Sequence, residues 1–436
     1  MIPVCLLGTE VKFNSSPLAG QWRTHSWGAM VQYLRGALSY LLIVVITALV
    51  FYNSLNADFT FDDHSAILSN RYVHTNETDW WSLFQVDYWG TPIQSEHSHK
   101  SYRPLTSLSF RLDNLLWGLQ PFYYHLTNVL LHILVTLSLF YFMLNLTSDH
   151  GISLLMTLLF SVHPLKSEAC TSIVGRAELL STLLYLKTLN WYFKKSYLLF
   201  AIGTILATIS KEQGLTVSCV CIILELLNMY FHYRSLRVFG FLTRLVKVVK
   251  DECFRRVILL TVFTSVLLVA RFIIMGSKMP VFTKFDNPAS FAQFPTRQLT
   301  FNYLLPLNAL LILYPKSLCA DWTMNSIPLI EDWHDERNLQ TLAFYLVCLG
   351  LIVRAVIQLH STSKDDSYMR KISLALSLSL TIIPFIPASN LLFPVGFVLA
   401  ERVLYTPSVG YCCLLAIGFI RIRQFFNSKI VSTLVF

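Results

Sequence analysis

Two adjacent aspartates, Asp62 and Asp63 in "FTFDDHSAI", stand just beyond a long apolar run in a chain where only 14% of residues are charged. A carboxylate that takes a proton from a hydroxyl needs a partly desolvated place and cations nearby to set its pKa. Neighbouring side chains point in different directions, so one of the pair can face a reacting group while the other fixes backbone or a cation. Further ionisable residues punctuate apolar sequence: Arg103 in "SYRPL", His163, Lys166 and Glu168 in "HPLKSEA", Arg176 and Glu178 in "VGRAELL". Lys211 and Glu212 in "SKEQG", Asp286 in "KFDNP", Asp321 in "CADW" and Glu401 with Arg402 in "LAERVLY" complete the set. They alternate in sign, the pattern of a paired polar cavity. Ionisable groups beside hydrocarbon are costly and mark a functional path or a buried network.

An acidic pair with several cations suits a lipid-phosphate sugar donor. Its phosphate leaving group needs Lys or Arg as charge develops, and the acceptor hydroxyl needs a base. The lipid tail would lie in a groove between helices. No glycine-rich nucleotide loop is found, which argues against a soluble nucleotide-sugar donor or an ATP-driven pump. Each residue also has a plainer reading. Arg103 and Lys166 are placed where a basic side chain snorkels to the interface, and Glu168 and Glu178 can serve only to neutralise Lys166 and Arg176. His163 precedes Pro164 as a helix-end histidine, with no second ligand at metal spacing. The nine cysteines show no paired CxxC spacing and read as small apolar side chains.

These residues need elements to hold them, and composition says which. At 54% hydrophobic and 14% aromatic residues over 436 positions, with a mean hydropathy of +0.53, the chain belongs in a bilayer. The net charge of +9 sits in short clusters between apolar runs, so it reports membrane orientation and not nucleic acid. The first run of sufficient length spans residues 37–55, after Lys12, Arg23 and Arg35, which puts a tail of residues 1–36 in the cytosol. Residues 56–120 form a long loop on the far side, with Trp80, Trp81, Tyr88 and Trp89 at headgroup level and interfacial helices.

Further spans fit residues 122–146, 152–162, 173–193, 197–209, 215–231 and 257–275, several of them short enough to tilt or to end in protein. Residues 299–314 read as re-entrant or interfacial, within a block over 276–339 on the far side. That keeps Arg354, Lys364, Arg370 and Lys371, which flank the next apolar run, cytosolic. Spans at 372–390 and 404–420 follow, and residues 421–436 close the chain as a cytosolic tail. The expectation is an all-α polytopic membrane protein with ten or eleven membrane helices and the polar clusters gathered at one face. Of the glycosylation sequons, Asn76 falls in the far-side loop and Asn14 and Asn145 on the cytosolic side.

At these residues the sequence resembles the transmembrane and tetratricopeptide-repeat (TMTC) proteins, O-mannosyltransferases of the endoplasmic reticulum with the GT-C membrane fold. The matching blocks are "FTFDDHSAILSNRYV", "SYRPLTSLSFRLDNLLWGLQPFYYHLTNVLLHI", "LLFSVHPLKSEACTSIVGRAELLS", "SKEQGLTV", "FDNPASF" with "TRQLTFNYLL", "LYPKSLCADWTMNSIPLI" and "IPASNLLFPVGFVLAERVLYTPSVGYC". They run in order across residues 59–413.

The resemblance implies a GT-C-like domain over residues 37–420. It implies transfer of mannose from dolichyl phosphate mannose to Ser or Thr of lumenal proteins, cadherins among them, with the active face lumenal. It places the base at Asp62 or Asp63. Lys211 and Arg402 come first for the donor phosphate, Lys166 and Arg176 next, and Arg103, Glu168, Glu178, Glu212, Glu401 and Asp321 form a supporting network. No cofactor is required, although some GT-C relatives use a divalent metal. The 34-residue tetratricopeptide pattern of the family does not occur in the chain. Two other readings are open: a transporter or flippase, which should instead carry charges near the midplane and internal repeats, and a non-catalytic scaffold.

Overall fold

The computed structural model describes residues 22–74, 79–233, 251–277, 282–320, 322, 326–360 and 368–435. Two compact units divide the chain, Met1–Leu42 and Ile43–Phe436, and the site lies within the second. Among the described residues there is no strand, only an isolated bridge between Val86 and Pro92. The fold is therefore all-α.

Helix α1 covers Trp22–Phe51. The first loop follows as short turns over Tyr52–Asn56, His64–Leu68 and Ser82–Gln85 and ends in α2, Pro104–Trp117, and α3, Pro121–Thr147. Both begin on proline, whose fixed φ suits the first helical turn and whose missing N–H goes unneeded there. Asp149 caps α4, His150–Val162, by accepting the Ile152 N–H at 3.1 Å. Next come α5, Lys166–Thr171, α6, Arg176–Phe193, α7, Tyr197–Ser210, and α8, Thr216–Tyr233. Then follow α9, Glu252–Ile274, α10, Thr296–Leu313, and α11, Arg337–His360. Helices α12, Tyr368–Ile382, and α13, Pro407–Val435, complete the bundle.

Six helical segments among the described residues are long and apolar enough to cross a membrane: Leu34–Asn56, Pro121–Thr147, Glu212–Phe231, Glu252–Ile274, Arg337–His360 and Pro407–Phe426. Most sequence-predicted runs match helices within a few residues, but α1 begins at Trp22, α12 ends at Ile382 and α13 runs to Val435, and Arg354, expected to flank an apolar run, lies inside α11. Helix α4 has 13 residues and α7 has 14, about 20 Å of rise each, too short for a hydrocarbon layer of about 30 Å. Their ends meet protein: α4 packs on α3 and α13, and α7 on α6. Helix α6 is the reverse case. It is too polar to qualify by composition, yet Arg176, Glu178, Ser181, Thr182, Thr188 and Asn190 on it are buried, because it packs against α3, α7 and α8 instead of lipid. The stretch expected to re-enter is a single helix, α10, with Pro306 inside it.

The main core joins α3, α4, α6, α8, α12 and α13 through residues such as Phe142, Met156, Leu186, Val220, Leu376 and Cys413. A second cluster packs α10 against Val398–Leu404, and a third pins the first loop through Phe59, Ile67, Tyr88, Phe110 and Val174. Tyr88, expected at headgroup level, is buried in that third cluster and donates to the Val174 carbonyl at 3.0 Å. Trp80 and Trp81 are exposed as expected. Close helix approach depends on glycine at Gly410, where a Cβ would lie 2.4 Å from the Thr381 amide nitrogen of α12.

Candidate active site

The aspartate pair is divided by its backbone. Phe61 sits at φ 48°, a left-handed conformation that a large side chain rarely adopts, and the turn sends the next two side chains opposite ways. Asp63 points inward and is fully buried. Its Oδ1 accepts the Val174 N–H at 3.0 Å and its Oδ2 accepts the Thr60 N–H at 3.1 Å. Burial raises its pKa, against the pull of those backbone bonds. Asp62 points outward, 23% exposed, with Oδ2 3.0 Å from Nη1 of Arg402.

Arg402 lies in the turn Glu401–Leu404 that leads into α13. Its guanidinium, 28% exposed, is also 3.5 Å from Glu168 of α5, and its backbone N–H donates to the second Glu168 oxygen at 2.7 Å. One arginine is thus held between two carboxylates that come from the first loop and from α5. Burial pushes the Glu168 carboxyl up to about 7, although Arg402 pulls it down. Glu401, one residue before, turns away and accepts the Cys319 N–H at 2.6 Å; burial raises its pKa.

The other expected residues are placed as follows. Lys211, at the end of α7, forms a buried ion pair with Glu178 of α6, and burial lowers its pKa despite that carboxylate. It is set there by Gly214, where a Cβ would meet the Ala207 backbone of α7 at 2.2 Å. Glu212 is shared by Arg103, at 3.0 Å, and Arg271, at 2.7 Å, and Arg103 lies over the Tyr88 ring. Arg176 is wholly enclosed: it pairs with Asp113 at 2.6 Å, donates to Asn128 at 2.8 Å and to the Tyr124 carbonyl at 2.9 Å.

Lys166 is equally enclosed, bonded to Ser408 and the Tyr405 carbonyl, with the Phe160 ring 4.0 Å away. Burial lowers its pKa to about 7. His163 Nε2 is bonded to the Ile312 carbonyl at 3.0 Å. No group of three His, Cys, Asp or Glu among the described residues could hold a metal. Asp321 and Asn76 lie outside the described residues.

The structure therefore corrects the local pairing. Glu168 faces Arg402, not Lys166, and Glu178 faces Lys211, not Arg176. The turns carrying Asp62, Glu168, Lys211 and Arg402 meet at one end of the bundle, while Lys166 and Arg176 are locked into its packing. Two partners were missed in the sequence: Arg271, in the last turn of an apolar span, and Asp113, in the second half of α2. A charge set within otherwise apolar sequence, Asp113 before Leu115–Trp117 and Arg271 after Val257–Ala270, was the available signal.

Residues 276–349 match the family described as "Protein O-mannosyl-transferase TMTC, DUF1736". Protein O-mannosyl-transferase TMTC3 of Mus musculus is 44% identical over 398 residues, which cover 88% of this chain and 42% of the relative. Tmtc3 of Drosophila melanogaster is 37% identical over 449 residues, 91% of this chain and 48% of the relative. TMTC2 of Homo sapiens is 36% identical over 451 residues, 89% and 53% respectively. The chain spans about half the length of the curated relatives it matches. No solved structure matches it. With 44% identity over 88% of its length to one such protein, the chain belongs to the TMTC family.

Proposed function

We propose that this chain is the membrane-embedded catalytic part of a protein O-mannosyltransferase, taking mannose from dolichyl phosphate mannose and giving it to Ser or Thr hydroxyls of lumenal proteins of the cadherin kind. The names of its relatives support the reaction class. The observation that carries the residue assignment is the half-open Asp62–Arg402 pair, its side chains 23% and 28% exposed, with Glu168 beside the same guanidinium.

Arg402 takes the donor phosphate. A phosphate oxygen competes with Asp62 for the same Nη1, so binding the donor frees the Asp62 carboxylate at the moment the acceptor needs it. The acceptor oxygen then forms a bond to the mannose anomeric carbon, and its proton passes to Asp62. The bond from that carbon to phosphate oxygen breaks with its electron pair going to the phosphate, where Arg402 holds the charge. Lys211 adds positive potential from behind, since Arg402 and Lys211 both act on Glu168. The basic helix ends favour a cytosolic amino terminus and an active face in the endoplasmic reticulum lumen.

The test is transfer by the full chain to an acceptor domain from lipid-linked and from nucleotide-linked mannose. Mannosylation should require the lipid donor, and Arg402→Ala should reduce it by about 100-fold or more. Equal transfer from the nucleotide-linked sugar, or full activity of Arg402→Ala, overturns the proposal.

A further inference from the structure

Arg402 already serves two carboxylates. Asp62 and Glu168 approach the same Nη1, at 3.0 Å and 3.5 Å, and a donor phosphate would be a third anion around one cation. Like charges gathered in a partly dehydrated site repel strongly, and a carboxyl among them escapes by taking a proton. The two carboxylates are not equally placed to do so. Glu168 is 8% exposed against 23% for Asp62, so its charged form has lost more water, and burial has raised its carboxyl to about 7. Its bond to the Arg402 backbone N–H needs only an acceptor oxygen, which a neutral carboxyl still offers.

The surroundings of Glu168 are consistent with that role. The 401–404 turn presents Arg402 and Glu401, α7 presents Lys211, and Asp62 stands beyond Arg402. On its own helix Lys166 is turned to Ser408. On α6, Arg176 is taken by Asp113 and Glu178 by Lys211. On α3, His132 is bonded to the Tyr405 hydroxyl and the Ser161 carbonyl, and His125 is buried. Only Arg402 and Lys211 draw Glu168 toward its charged form, and the arriving phosphate weakens the hold of Arg402.

We infer that Glu168 takes up a proton from solution when the donor phosphate binds Arg402, which keeps the guanidinium anchored while Asp62 is released to the acceptor hydroxyl. Glu168 is then a positioning residue, and donor binding is coupled to pH. The inference rests on the proposed donor site.

Calorimetric titration of the full chain in lipid nanodiscs with dolichyl phosphate mannose, at pH 8 in two buffers of different ionisation enthalpy, counts the protons taken up. The count should approach one for the native chain and zero for Glu168→Gln. Above pH 7 native affinity should fall up to about tenfold per pH unit. Glu168→Gln should be flat, and so bind up to about 30-fold tighter at pH 8.5. Buffer-independent heats for the native chain overturn the inference while leaving the donor site standing. So does a Glu168→Gln chain with proton uptake or pH slope intact, the mark of a merely structural residue. Absence of binding in any condition overturns the donor site and this inference together.

Discussion

Replacing each aspartate of the pair by asparagine should separate folding from chemistry. Asp63→Asn strikes two backbone hydrogen bonds in a wholly buried place, from Val174 at 3.0 Å and from Thr60 at 3.1 Å. An asparagine keeps one acceptor oxygen, but its NH2 group faces the second backbone N–H, leaving a buried donor unsatisfied. A lost bond to a charged group costs about 1.5–3 kcal/mol and an orphaned buried polar group about 1–3 kcal/mol. The two overlap, so a destabilisation of about 2–4 kcal/mol follows.

Asp62→Asn breaks only a partly exposed ion pair, and such pairs contribute about 0–1 kcal/mol; the amide oxygen can still accept from Arg402. Loss of a general base costs about 100- to 10,000-fold in rate. Thermal unfolding and transfer activity, measured on both variants in the full chain, should therefore diverge. Asp62→Asn should melt like the native protein and be nearly inactive, while Asp63→Asn should melt early and retain turnover per folded molecule. The reverse pattern, an inert but stable Asp63→Asn with an active Asp62→Asn, refutes the assignment.

Two further outcomes follow from the packing. Gly214→Ala, which would push a Cβ to 2.2 Å from the Ala207 backbone, should destabilise by about 1–3 kcal/mol and lower activity by moving the turn that carries Lys211 and Glu212; thermal unfolding and transfer rate check it. Lys166 has a pKa of about 7 when folded against 10.5 for a free lysine, so between those values the folded state binds fewer protons than the unfolded one. Its contribution to stability should then rise with pH across that window and vanish as pH falls through about 7. Melting of the native chain minus that of Lys166→Met, followed against pH, should show that slope, and a pH-independent difference would rule it out.

The all-α membrane fold was legible because apolar runs of helix length report the bilayer directly, as the match of residues 122–146 with Pro121–Thr147 shows. Helix α6 shows the limit: its polarity says nothing of where it sits, since a helix surrounded by protein can bury Thr182 and Asn190 with their hydrogen bonds made internally. The clustering of charged motifs at one end was readable from parity, but their partners were not. On a helix, residues two apart lie on nearly opposite faces, so Arg176 and Glu178 cannot neutralise each other across α6, and Lys166 and Glu168 cannot do so across α5.

Each charge must find its partner on another element, and those partners lie far away in sequence: Glu178 with Lys211 is 33 residues distant, Arg103 with Glu212 is 109, and Asp62 with Arg402 is 340. The same geometry orders the acidic pair. Adjacent side chains must diverge, which the sequence did say, but which of them turns inward depends on the left-handed Phe61 and on the Val174 N–H waiting 111 residues downstream. An inward carboxylate, fully buried and bonded to backbone N–H groups, is out of reach of a substrate hydroxyl, so in the proposed reaction the outward neighbour supplies the base and the inward one holds the loop that presents it.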